Sequence, residues 1–184
     1  LALILPGLNM RKSAVTICSR SIFFLTGIPV KIIGKENLPS SNCVAIANHA
    51  SYLDGILLKA YLPSRFSYVI KGEMKRVPFA GFLLKRIDSK FVERFKPRER
   101  ARNMQSLINA AKTGDSLVFF PEGTFTLQPG LNRFKIGAFA SARNANAPIV
   151  PIVISGTRFI LPENTMLPRF GSINIKILKP IKTN

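Results

Sequence analysis

His49 is the only histidine in 184 residues, and Asp54 follows it by five positions in the stretch VAIANHASYLDGILL. An alcohol is a poor nucleophile at neutral pH, and an imidazole with a pKa of about 6.5 is well matched to taking its proton. A carboxylate behind that imidazole would fix its tautomer and stabilise the imidazolium as it forms. Five residues along one helix turn through roughly 140°, so the pair can meet only if His49 lies in a loop and Asp54 in the first turn of the next helix. The sequence permits this. Ser51 is a good helix N-cap, and Asp54 stands three residues on, in a capping-box-like spacing. The same spacing allows a structural role in which Asp54 bonds backbone amides and favours the helix dipole. The two jobs are compatible. A Ser-His-Asp triad can be written with Ser51, but Ser51 is only two residues from its base and no G-x-S-x-G elbow exists. Direct transfer without an acyl-enzyme is the expectation.

A second loop, FFPEGTFT (119–126), follows the most apolar strand-like run. Glu122, Gly123 and Thr124 offer a carboxylate, a sharp turn with its amides and a hydroxyl; a plain structural turn would use Pro and Gly equally well.

Positioning these loops requires a framework, and the sequence alternates short strand-like and helical runs. Residues 30–34, 43–48, 66–70, 116–120 and 149–154 read as strands, mostly buried on both faces. SINIKIL (172–178) alternates apolar with polar and reads as a one-sided edge strand. Residues 53–61, 98–112 and 134–144 read as helices, with Gly114 placed to stop the second. The alternation implies a single α/β domain around a largely parallel sheet, in which functional groups gather where strands end and helices begin. Residues 10–27 form an amphipathic helical pattern, with Met10, Ala14, Ile17, Cys18, Ser21, Ile22 and Leu25 on one face and Lys12, Thr16, Ser19 and Arg20 opposite. Such a helix can lie in a membrane interface or pack its apolar face on the core. LALILPGL (1–8) reads as the end of a hydrophobic segment, too short as it stands to span a bilayer.

The charge is lopsided: 27 Lys and Arg against 9 Asp and Glu give a net +18. Such an excess attracts an anionic partner, whether a membrane surface, an acidic carrier protein or nucleic acid. No RNA- or DNA-binding motif is legible, so nucleic acid is not expected. Two cysteines and one histidine build neither a disulfide framework nor a zinc site, and no metal is expected. A reducing, cytoplasmic setting follows as the default.

In order along the chain come GKENLP (34–39), NHASYLD (48–54), KGEMKRVPFAG (71–81), KFVER (90–94), FPEGTF (120–125), FKIGAF (134–139) and PIVPIVISG (148–156). In order and rough spacing these blocks resemble the glycerophospholipid acyltransferases, whose familiar members make phosphatidic acid from lysophosphatidic acid. The resemblance covers about residues 30–178 and implies an acyltransferase domain at 29–184, and the hydrophobic and amphipathic pattern before it marks 1–28 as a membrane-associated segment. The resemblance implies an acyl-thioester donor, carried on coenzyme A or acyl-carrier protein, a lysophospholipid or glycerophosphate acceptor, and no cofactor beyond the donor. The basic charge and the 10–27 helix place the protein on the cytoplasmic side of an anionic membrane, with peripheral or N-terminal attachment, as the expectation. By resemblance His49 is the base and Asp54 its partner, and Lys71, Arg94, Glu122, Gly123 and Thr124 fall on positions that bind the acceptor phosphate. Independently of the resemblance, Lys71, Arg94, Arg133 and Lys135 are cations suited to phosphate oxygens. One position departs. Where the family continues Glu-Gly-Thr with an arginine tied to that phosphate, this chain has Phe125. Either another cation takes the phosphate, Arg133 being the nearest candidate, or the acceptor is not lysophosphatidic acid. Two other readings compete: a lipid or thioester hydrolase using the same dyad on water, and a non-enzymatic basic binder of membrane or nucleic acid.

Overall fold

The computed structural model describes residues 5–93, 97–125, 130–165 and 167–183. In chain order the elements are α1 (Leu8–Leu25), β1 (Val30–Ile33), β2 (Val44–Ala47), α2 (Leu53–Tyr61), β3 (Phe66–Lys71), α3 (Ala80–Arg86), β4 (Lys90–Val92), α4 (Pro97–Lys112), β5 (Ser116–Phe119), α5 (Gly137–Asn144), β6 (Ile149–Ser155), α6 (Thr157–Ile160) and β7 (Ile173–Ile177). The strands form one sheet in the order β1-β7-β6-β2-β5-β3-β4. From β6 to β4 every pairing is parallel. β7 runs antiparallel to β6 and parallel to β1.

Successive strand residues point to opposite faces, and the central strands are apolar on both. Val44, Leu117 and Phe119 join Leu107 and Ala111 of α4 and Ala138 and Ala142 of α5 on one side. Ala45, Ala47 and Val118 join Phe23 of α1 and Leu57 and Leu58 of α2 on the other. A parallel sheet covered on both faces by helices is the architecture expected of such apolar strands. Gly114, at φ +104°, ends α4 as the sequence implies, with the Asp115 amide reaching back to the Ala110 carbonyl at 2.9 Å.

Three features differ from the sequence reading. SINIKIL alternates buried and exposed as expected but is not an edge, because β1 pairs outside it. α3 and β4 complete the far side of the sheet where the sequence showed no element. α1 follows the expected period, but its polar side faces the protein. Lys12, Thr16, Ser19 and Phe23 are buried, the Lys12 ammonium donates to Ser67 Oγ at 3.0 Å and Arg20 Nε to the Ala60 carbonyl at 2.6 Å. Ile17, Phe24 and Leu25 face outward, 63%, 85% and 80% exposed. Among the described residues no helix is long and apolar enough to cross a membrane.

Candidate active site

β2, β5 and β3 are parallel neighbours, so the loop after β2, the loop after β5 and the last residue of β3 meet along one end of the sheet. They carry His49, residues 120–125 and Lys71. Crevices at the carboxyl ends of parallel strands are the usual place for a site in such sheets.

His49 lies in the loop and Asp54 in the first turn of α2, as their spacing requires. Asp54 is fully buried, and its Oδ2 lies 2.9 Å from His49 Nδ1. The same oxygen accepts the amides of Ala50 at 2.6 Å and Ser51 at 2.8 Å. Asp54 therefore both starts the helix and holds the imidazole. A carboxylate acceptor calls for the proton on Nδ1, which leaves Nε2 as the nitrogen with a lone pair to accept a hydrogen bond. Ser51 Oγ donates to the Leu161 carbonyl at 2.7 Å and accepts the Leu53 amide at 3.2 Å. Both bonds commit the Ser51 hydroxyl to the fold.

The loop is pinned from two sides. Asn48 exchanges a pair of hydrogen bonds with the backbone of Ile154 on β6, at 2.9 and 2.7 Å. The buried Glu122 accepts the His49 amide through Oε1 at 2.7 Å and the Asn132 amide through Oε2 at 2.8 Å. Both its carboxylate oxygens thus bind backbone of the two loops that frame the site. Gly123 turns at φ +79°, a conformation that suits glycine. Thr124 Oγ1 accepts from the Lys71 ammonium at 3.0 Å, which brings two of the sequence-identified residues together. Arg133 and Lys135 stand exposed on the segment leading to α5, and the Lys135 amide is held by the Pro121 carbonyl at 2.8 Å. Arg94 lies outside the described residues.

Aromatic rings surround the imidazole. Phe120 stacks on His49 with centroids 4.2 Å apart, and Phe125 meets it edge-on at 4.7 Å. Tyr52 in turn stands edge-on to Phe125 at 4.7 Å. The His49 side chain keeps 18% of its surface exposed, enough for an edge to reach a substrate. Asn48 and Phe120 were not singled out in the sequence. The Phe119-Phe120 pair does hold a signal, because strand alternation sends one ring to the α4–α5 side and the next to the His49 side.

The family described as Acyltransferase matches residues 29–155 of this chain. The 1-acyl-sn-glycerol-3-phosphate acyltransferase of Saccharomyces cerevisiae is 35% identical over 86% of this chain and 54% of its own length. A chloroplastic enzyme of the same description from Brassica napus is 34% identical over 82% of this chain and 44% of its own length. The chain spans about half the length of the curated relatives it matches. The crystal structure of the 1-acyl-sn-glycerophosphate (LPA) acyltransferase from Thermotoga maritima superposes with a TM-score of 0.84 at 21% identity, over 99% of this chain and 75% of that one. It has the same fold.

Proposed function

This chain belongs to the Acyltransferase family, and we propose that it moves a fatty acyl group from an acyl thioester to a hydroxyl of a lysophospholipid or glycerophosphate. The observation that carries this is the buried Asp54 bonded to Nδ1 of a histidine whose edge remains open. In the proposed step His49 Nε2 takes the acceptor O–H proton as that oxygen attacks the thioester carbonyl. Asp54 stabilises the imidazolium. The tetrahedral intermediate then collapses, the C–S bond breaks, and the imidazolium returns the proton to the departing thiolate. Charge balances at each stage. Asn48 and Glu122 hold the His49 loop in register for this chemistry, and Phe120 and Phe125 restrict the ring to one plane.

The acceptor is anionic in this reading. Lys71, placed beside Thr124, supplies one cation for its phosphate, and Arg133 and Lys135 supply the charge that an arginine at position 125 would bring. The donor thioester is carried on coenzyme A or acyl-carrier protein. The outward apolar side of α1 and the +18 charge favour attachment to an anionic membrane surface, where a lipid acceptor resides.

Incubation with a labelled acyl thioester and a panel of lysophospholipids and glycerol 3-phosphate tests the activity. Ester product that requires an acceptor supports transfer. Free fatty acid released at the same rate with or without acceptor would replace it by hydrolysis.

A further inference from the structure

The turn at residues 77–82, beyond the 3-10 segment Gly72–Arg76 that follows β3, ends in a bare aromatic tip. Phe79 is 89% exposed and Phe82 57%, with Val77 exposed beside them. Phe79 has φ 57° and ψ −54°, and the Ala80 amide bonds the Pro78 carbonyl at 2.5 Å across it. This is a γ-turn of the rare, strained hand, and a phenylalanine at positive φ is an outlier. The fold holds it there. Beneath the turn Gly81 lies so close that a Cβ would come within 2.5 Å of the Lys75 carbonyl. The Gly81 amide closes back onto the Val77 carbonyl at 2.8 Å.

Strain kept at a side chain that touches almost nothing points to use outside the chain. Exposed Lys75, Arg76 and Lys85 flank the tip. Arg11 of α1 donates through Nε to the carbonyl of Arg86, the last residue of α3, at 3.0 Å. That bond ties the tip's helix to the first half of α1, and the outward residues of α1 include Met10 and Ile17.

We propose that the Phe79 tip is a second membrane contact, inserting Phe79 and Phe82 among the head groups of an anionic bilayer while Lys75, Arg76 and Lys85 pair with lipid phosphates. The proposal rests on the membrane placement argued above. A bilayer suits the tip better than a protein groove does, because the tip is convex, mobile lipids fit around a protruding ring, and aromatic rings flanked by cations are favoured at the interface. The consequence concerns orientation. The tip follows directly from the carboxyl end of β3, the end of the sheet that carries His49 and Lys71, so two contacts would hold that end toward the lipid and α1 alone would let it roll.

The chain contains no tryptophan, so Phe79→Trp would be a sole reporter. With vesicles of phosphatidylglycerol and phosphatidylcholine in equal parts, its emission should shift to the blue and be quenched by brominated acyl chains. Phe79→Gly, which accepts positive φ, should keep or raise the melting temperature while weakening vesicle binding roughly tenfold. That opposite pair of effects separates membrane contact from structural damage. Unquenched Phe79→Trp emission, Phe79→Gly binding equal to the parent's, or no vesicle binding by the parent would each overturn the contact. A blue shift that grows with protein concentration in the absence of vesicles would assign the tip to a second protein molecule and overturn it equally. Acyl transfer to a short-chain acceptor in detergent reads the catalytic proposal separately, so failure of one is not failure of the other.

Discussion

Asp54 Oδ2 receives three hydrogen bonds, one from the imidazole and two from amides that begin α2, so substitutions there probe whether catalysis and capping come apart. In Asp54→Asn the amide carbonyl can still accept the Ala50 and Ser51 amides, but a neutral group cannot stabilise the imidazolium. Its kcat should fall by about a thousandfold to ten-thousandfold with a melting curve close to the parent's. Retained turnover would reduce Asp54 to a helix cap. His49→Ala should lose transfer altogether while near-ultraviolet circular dichroism stays unchanged; a variant with near-normal turnover would remove His49 from the mechanism. Phe125 raises the acceptor question. If Arg133 or Lys135 serves the phosphate, replacing either by Ala should raise the KM for acceptor by about tenfold to a hundredfold, with little effect on the KM for donor. Phe125 is buried between His49 and Tyr52, so Phe125→Arg should lower the melting temperature. Where it still folds, it should retain use of lysophosphatidic acid, and a well-folded, inactive Phe125→Arg protein would contradict the relocated phosphate site.

Among the elements, α1 and α2 enclose a pair of buried lysines. Lys59 on α2 is buried, and desolvation, followed by repulsion from Lys12, lowers its pKa from 10.5 to about 8. Its ammonium sits 5.9 Å from the centroid of Tyr68, whose hydroxyl burial keeps protonated well above its ordinary range. Below about pH 8 both folded and unfolded chains hold the Lys59 proton, and the burial penalty is fully present. Between about 8 and 10 the unfolded chain binds more protons, so this group makes stability rise with pH. Above about 10 Tyr68 works in the opposite direction. Lys59→Met should therefore melt higher at neutral pH and flatten the rise, as thermal melts across that range would show; an unchanged profile would mean that water reaches Lys59. The same helices mark the limits of sequence reading. The period of α1 is legible, but which side packs depends on partners such as Ser67 and the Ala60 carbonyl, which no local pattern announces. The alternation in SINIKIL gives its buried face, while its place beside β1 depends on Val30 meeting Ile173. β4 has three residues and α3 seven, too few to show a period. The His49–Asp54 pair was readable because a strand, a serine cap and a helix lie next to one another in the chain. The Phe120 and Phe125 rings that hem in the imidazole come from the neighbouring strand's loop and required the fold.

Taken as a whole, the molecule joins a +18 charge to an outward apolar helix face, and these two features respond differently to the solvent. Charge attraction between exposed groups and acidic head groups is screened within about 8–10 Å at ordinary salt, whereas apolar insertion is not. Vesicle binding should accordingly need acidic lipid and weaken as salt rises, with a salt-resistant remainder set by the exposed apolar side chains of α1 and of the Phe79 tip. Ile17→Ser together with Phe24→Ser should lower that remainder and leave the salt-sensitive part. Both substitutions lie on exposed positions, so the melting temperature should hardly move. Transfer to a long-chain acceptor embedded in vesicles should follow binding, falling with salt and with the double substitution. Transfer to a short-chain, water-soluble acceptor should not respond to the double substitution, because the site at the strand ends is untouched. Binding that ignores salt would assign attachment to the apolar face alone. Equal losses on soluble and embedded acceptors would show that α1 supports the site itself, through Lys12 and Arg20, and does not serve to bring it to the lipid.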